Sequence, residues 1–232
     1  MADAILVSNL SLEYHVLQRK GILSMRKKAV VRALDSVSFS IKRGEIVAVL
    51  GNNGAGKSTL LAAVSGKIRP SEGSVETHGM VFTLQGSNPG LINDLSAREN
   101  IRMLASSYGI EESDVPSLES EIEDFCDLGD AFDRKLSTLS SGQNGRVGFG
   151  FITSLNPDIL LMDETLGVGD KNFRKKAEEK SKAFMERGET ILLSTHSLNL
   201  AKNMCSRGLV LEKGILAFDG PVEEAIDYYL GR

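Results

Sequence analysis

The chain has 232 residues, of which 41% are hydrophobic and 25% charged, and its formal net charge is −4. This is the mixture of a folded globular protein, so a disordered chain is excluded, and the length suits one substantial α/β domain carrying at most a smaller inserted lobe. The acidic balance lacks the basic footprint of a nucleic-acid binder, so no nucleic acid is expected as a partner.

In chain order, the first clear strand is 37–41, where Val37, Phe39 and Ile41 alternate with Ser36, Ser38 and Ser40 at the period of a half-buried strand. Residues 46–50 are apolar throughout, as in a strand buried on both faces of a parallel sheet. Helical periodicity follows Lys57. Residues 91–139 hold no convincing strand and have helix-like stretches at 97–106 and 120–128, which predicts a helical subdomain. Two more buried strands are predicted at 159–162 and 190–193. Helical patterns recur around Phe173, Ala177 and Phe184 and at 198–205. A hairpin over 208–218, turning at Glu212-Lys213-Gly214, and a helix over 222–230 close the chain. Strands alternating with helices predict a doubly wound, mostly parallel sheet.

No apolar run approaches the roughly 20 residues needed to cross a bilayer, and residues 1–4 lack the features of a secretory signal, so a cytosolic location is expected. Cys126 and Cys205 have no CxxC neighbour, which points to buried or incidental thiols.

Chemistry enters at Gly51-Asn52-Asn53-Gly54-Ala55-Gly56-Lys57-Ser58, followed by Thr59. The run fits GxxxxGK[ST] and lies between a buried strand and a helix, the context that motif requires. Its glycines let backbone N–H groups curl around phosphate oxygens, and the helix points its positive end at the same anion. Lys57 is expected to hold the β and γ phosphates and Ser58 to ligate Mg²⁺. A second apolar strand ends in Asp163-Glu164. A parallel strand delivers such residues to the sheet edge where ligands bind. Asp163 would hold Mg²⁺ through water, and Glu164 would act as general base on the attacking water. Taken alone, the pair also suits a helix N-cap.

Between these motifs stands Leu139-Ser140-Ser141-Gly142-Gln143, followed by Arg146. The run resembles the LSGGQ signature of ABC ATPases, which precedes the second acidic motif by about twenty residues in that family, as here. Gln85 falls where the family's Q-loop glutamine would lie, Asp170 where its D-loop aspartate would, and His196 resembles its switch histidine. The order of these motifs spans most of the chain. The resemblance implies a RecA-like P-loop core over 1–86 and 140–232, with N-terminal antiparallel strands, and an inserted helical subdomain over 87–139.

It further implies an ATP hydrolase that works as a homodimer, each ATP held between one chain's P-loop and the partner's Ser140, Ser141, Gly142 and Gln143. Gln85 would sense the γ-phosphate and join Ser58 and Asp163 around Mg²⁺. His196 would orient the γ-phosphate, and the surface near 88–100 would receive a helix of a separate permease, present in two copies. Tyr14 would stack on adenine as an upstream aromatic does in similar cassettes; packing into the core is the competing reading of that residue. This places the chain on the cytoplasmic face of the inner membrane.

Ser141, in place of the first glycine of LSGGQ, and Leu166-Gly167-Val168-Gly169-Asp170 in the D-loop resemble the polysaccharide exporters of the family. The expected cargo is therefore a lipid-linked glycan such as O-antigen, capsule or teichoic acid. With the sequence running to Arg232, no C-terminal carbohydrate-binding domain is expected. The stretch 18–32 carries Arg19, Lys20, Arg26, Lys27, Lys28 and Arg32 around Ile22, Leu23 and Met25. It reads equally as a solvated hairpin or as a basic tip that meets lipid phosphates. A small-molecule kinase would lack the signature, and a DNA-repair cassette would carry a long coiled-coil insertion.

Overall fold

Two N-terminal strands begin the chain in the computed structural model, which describes residues 2–18, 27–83, 89–163, 173, 175–177, 179–180, 183 and 187–231. They are β1 (Asp3–Gln18) and β2 (Lys27–Lys42), paired antiparallel from Asp3 opposite Lys42 to Gln18 opposite Lys27. The predicted strand 37–41 is the last part of β2. The short strand β4 (Glu72–Thr77) lines the other edge of β1, reaching as far as Ser11 opposite Glu72. Beyond Ser11, β1 and β2 continue as a two-stranded ribbon. The inward residues Ile5, Val7, Leu10, Leu34, Val37 and Ile41 are buried.

The described chain divides into two compact units, Met1–Val81 with Thr190–Arg232, and Phe82–Glu189. In the first, β3 (Ile46–Leu50) runs parallel to β7 (Thr190–Ser194) on one side and to β8 (Arg207–Glu212) on the other; β9 (Ile215–Pro221) returns antiparallel beside β8. Val47, Val49, Leu50, Ile191, Leu192, Leu209 and Val210 are all fully buried, which is why these strands read as continuous apolar runs. Burial of each such side chain stabilises the sheet by roughly 1.5–3 kcal/mol. Helix α1 (Lys57–Val64) follows β3, and short helices lie at Leu198–Met204 and Val222–Leu230. Both latter helices match the sequence expectation, apart from the final residue of the first.

The second unit is built on α2 (Ala97–Ser107), α3 (Val115–Cys126) and α4 (Ser141–Ser154). Ile101, Leu104, Ile122, Phe132, Leu136, Val147 and Phe151 form its core. The stretch expected to be helical over 120–128 is helical from Val115 to Cys126, because Pro116 supplies a pre-set first turn and Asp127 leaves the helix in the left-handed region. On this core Arg98 gathers three acids: Asp133 at 2.7 Å, Glu123 at 3.0 Å and Glu119 at 3.4 Å, with its guanidinium over the Phe132 ring. Arg102 adds a second bond to the buried Glu119. Strand β6 (Ile159–Asp163) has β5 (Val81–Thr83) as a neighbour. Residues 173, 175–177, 179–180 and 183 are helical, with Phe173 and Ala177 buried as their periodicity predicts; Phe184 lies outside the described residues. No helix among the described residues is long and apolar enough to cross a membrane.

Candidate functional site

The buried strand β3 ends at Leu50, and the chain turns through Gly51 to Gly56 before α1 begins. Ala55 N–H donates to Asn52 O at 3.0 Å and closes the turn. Gly56 is the N-cap of α1 in the left-handed region, and no side chain caps the helix. A Cβ at Gly56 would lie 2.8 Å from both Ala33 O and Leu34 Cδ2, so only glycine fits there. The start of α1, the positive end of the helix, thus carries no side-chain cap.

Lys57 is the first residue of α1 and is 7% exposed. Its ammonium folds back over the loop, donating to Gly51 O at 2.6 Å and Asn52 O at 3.3 Å, and lies 3.4 Å from His196 Nε2. His196 comes two residues after β7. Thr195 N–H reaches Val49 O at 3.4 Å, and Ser197 N–H is held by Thr195 Oγ1 at 3.0 Å, which fixes the turn that carries the imidazole beside β3. The first unit therefore brings together Asn52, Asn53, Gly54, Ala55, Gly56, Lys57, Ser58, Thr59 and His196. Asn52, Asn53, Gly54 and Ser58 are exposed, while Ala55 is buried and Thr59 half-buried. A glycine-rich loop and one buried ammonium beside a helix N-terminus form an arrangement suited to a chain of phosphates. Tyr14 lies on β1 opposite Val31 and is 37% exposed.

In the second unit, Asp163 is the last residue of β6 and is half-buried. Ser140 is the N-cap of α4: its hydroxyl accepts from Gln143 N–H at 3.3 Å, and Gln143 Oε1 accepts from Ser140 N–H at 3.0 Å. This reciprocal box presents Ser140 and Ser141 at an exposed helix tip, with Gly142 and Gln143 half-buried behind them. Gln85, Glu164 and Asp170 lie outside the described residues, as do Leu166 to Gly169 and the basic residues Arg19, Lys20 and Arg26.

Two contacts to the loop were not legible in the sequence. Tyr229 Oη donates to Asn52 Oδ1 at 3.2 Å, and Gly214 N–H donates to Ala55 O at 2.9 Å. The hairpin turn at 213–214 is signalled by Lys-Gly, but nothing local ties it to a loop so far upstream.

A family model described as ABC transporter matches residues 34–167, which include the phosphate loop, the Ser140 run and Asp163-Glu164. The chain belongs to the ABC transporter family. Among its relatives in that family, the teichoic acids export ATP-binding protein TagH of Lactococcus lactis is 41% identical over 85% of this chain. The chain spans only 42% of that protein's length. The O-antigen export system ATP-binding protein RfbB of Klebsiella pneumoniae is 36% identical over 92% of this chain and 87% of its own length. The fold is that of solved ABC cassettes. A dimeric ATP-binding cassette in a post-hydrolysis state with ADP and Pi superposes with a TM-score of 0.77 at 24% identity, covering 94% of this chain and 98% of the other. An ATP-binding subunit of an ABC transporter superposes at 0.78 with 23% identity, covering 98% and 93%.

Proposed function

We propose that this chain binds and hydrolyses ATP as the cassette subunit of an ABC transporter that exports a lipid-linked polysaccharide. It would work as a homodimer on the cytoplasmic face of the inner membrane, beneath two copies of a permease. The observation that carries the reading is the Lys57 ammonium, buried against the loop carbonyls of Gly51 and Asn52 at a helix start without a side-chain cap. Its RecA-like core would comprise 1–86 and 140–232, with 87–139 as the helical subdomain.

In this reading the amides of the loop and of the first turn of α1 bind the phosphates, and Lys57 exchanges a carbonyl for a phosphate oxygen. Tyr14 stacks on the adenine from its exposed position on β1. Ser58, Gln85 and Asp163 offer only oxygen donors, the set a hard cation of Mg²⁺ type takes. The ion, when bound, offsets charge on the β and γ phosphates. Glu164 takes a proton from the attacking water, His196 orients the γ-phosphate, and Asp170 helps bind the nucleotide. Ser140, Ser141, Gly142 and Gln143 of the second copy close over the same triphosphate. ATP then favours the closed dimer because it bridges only that state.

The glycan cargo is supported by similarity to RfbB over nearly the whole chain, and by Ser141 and the 166–170 run. Two measurements test the proposal. Glu164→Gln should give an ATP-dependent dimer by light scattering; a variant that stays monomeric at saturating ATP contradicts the mechanism. With its permease in liposomes, ATPase turnover should rise with a lipid-linked glycan, and stimulation by a peptide instead would contradict the cargo.

A further inference from the structure

Besides its own turn, the phosphate loop is gripped from outside by the C-terminal hairpin and helix. The hairpin β8–β9 turns at Lys213 and Gly214, both left-handed at φ 48° and 87°, between the paired residues Glu212 and Ile215. This is the two-residue turn whose twist matches the flanking strands. A register shift between Val210 and Leu211 precedes it. A bulge of this kind re-aims backbone groups. The Leu211 carbonyl lies so close to Gly51 that a Cβ on Gly51 would be 2.5 Å from it.

At the turn itself, Gly214 N–H donates to Ala55 O at 2.9 Å, and Gly214 O accepts from Asp35 N–H, also at 2.9 Å. A peptide unit is planar and trans, so its C=O and N–H point in opposite directions. Holding the Ala55 carbonyl toward the hairpin therefore turns the Gly56 N–H away from it, as a donor at the start of α1. Further along, Tyr229 of the helix Val222–Leu230 holds the Asn52 side chain at 3.2 Å, while Asn52 O takes the Ala55 N–H and the Lys57 ammonium. The grip thus falls on Gly51, Asn52 and Ala55, residues between and behind the expected phosphate donors.

We propose that the β8–β9 turn and the C-terminal helix hold the phosphate loop in its binding shape, with Gly214 and Tyr229 as positioning residues. Neither side touches phosphate; both act through the loop. The inference rests on the loop being the nucleotide site, and it adds a control element at the opposite end of the chain. Whatever displaces the helix Val222–Leu230 also releases Asn52, so a load on that helix lowers nucleotide affinity.

The test is calorimetric titration of Mg-ADP into the full chain, with the folded fraction followed by circular dichroism. Gly214→Ala puts a Cβ 2.7 Å from Ala33 O and must push the turn off the loop. It should weaken binding about tenfold, and Tyr229→Phe, which removes one hydrogen bond, about threefold. Lys213→Gly relaxes a strained turn residue and keeps both contacts, so its affinity should match wild type. A turn that mattered only for stability would shift the melting midpoint and leave the affinity of folded molecules alone. Wild-type affinity in folded Gly214→Ala, or in Tyr229→Phe where Gly214→Ala does not fold, overturns the inference and leaves the nucleotide site standing. A wild-type chain that binds no Mg-ADP overturns both.

Discussion

Helix α1 starts on a left-handed Gly56 with no side chain on its first amides, whereas α4 starts on Ser140, locked to Gln143 in both directions. The first is 8 residues long with no acid in its first turn; the second has 14 residues. A short helix without a side-chain cap is poorly stabilised by itself, and an anion at its start supplies what a cap would have supplied. A boxed helix is already complete, and its tip can be presented to a ligand without reorganising. In the proposed function one helix receives the phosphates and the other is brought to them. In α2 the same box, Ser96 with Glu99, recurs with no motif around it and serves as an internal control.

The largest effect that would break this contrast belongs to α1. Lys57→Met should lower ATPase turnover at least about 100-fold, in the range lost when a charged donor is taken from a reacting oxyanion. Full turnover would remove α1 from the chemistry. Next, Ser140→Ala and Ser96→Ala should each cost about 1 kcal/mol of stability by denaturant unfolding, as a lost N-cap does. Only Ser140→Ala should also lower turnover, by about tenfold or more. Equal turnover in the two variants would make the Ser140 box a mere cap. A smaller effect sharpens the difference in local stability: Mg-ADP should slow amide exchange at 57–60 more than at 141–144.

The smallest expected effect separates general stability from both helices. Burial pushes the Glu189 carboxyl up to about 7 from 4.5, against the pull of Arg187 and with a contribution from Asp158. Its folded value is raised, so the folded chain favours the protonated form. That stability is complete below about pH 4.5 and is lost as the pH rises through 7. Glu189→Gln should therefore melt higher than wild type at about pH 8 and converge with it near pH 4, with nucleotide affinity unmoved at about pH 8.

What was legible in the sequence follows from how each element is held. Strands β3, β6 and β7 are buried on both faces and announced themselves as apolar runs, and the phosphate loop followed from its spacing. Strand β4 did not, because its residues are exposed or half-buried and it exists through pairing with β1. The early part of β1 was obscured by register shifts around Leu10 and by left-handed Asn9, which interrupt strict alternation. In the candidate site, the residues that would meet ATP were readable because their chemistry fixes residue type. Gly214 and Tyr229 were not, since backbone and remote side-chain contacts leave no pattern near the loop they hold.

The most direct test is an equilibrium titration of Mg-ADP into the wild-type chain, Lys57→Met and Ser140→Ala. One nucleotide per chain is expected for wild type, near-wild-type affinity for Ser140→Ala and no measurable binding for Lys57→Met. Undiminished binding by Lys57→Met, or loss of binding in a folded Ser140→Ala, would contradict the assignment of the phosphates to α1.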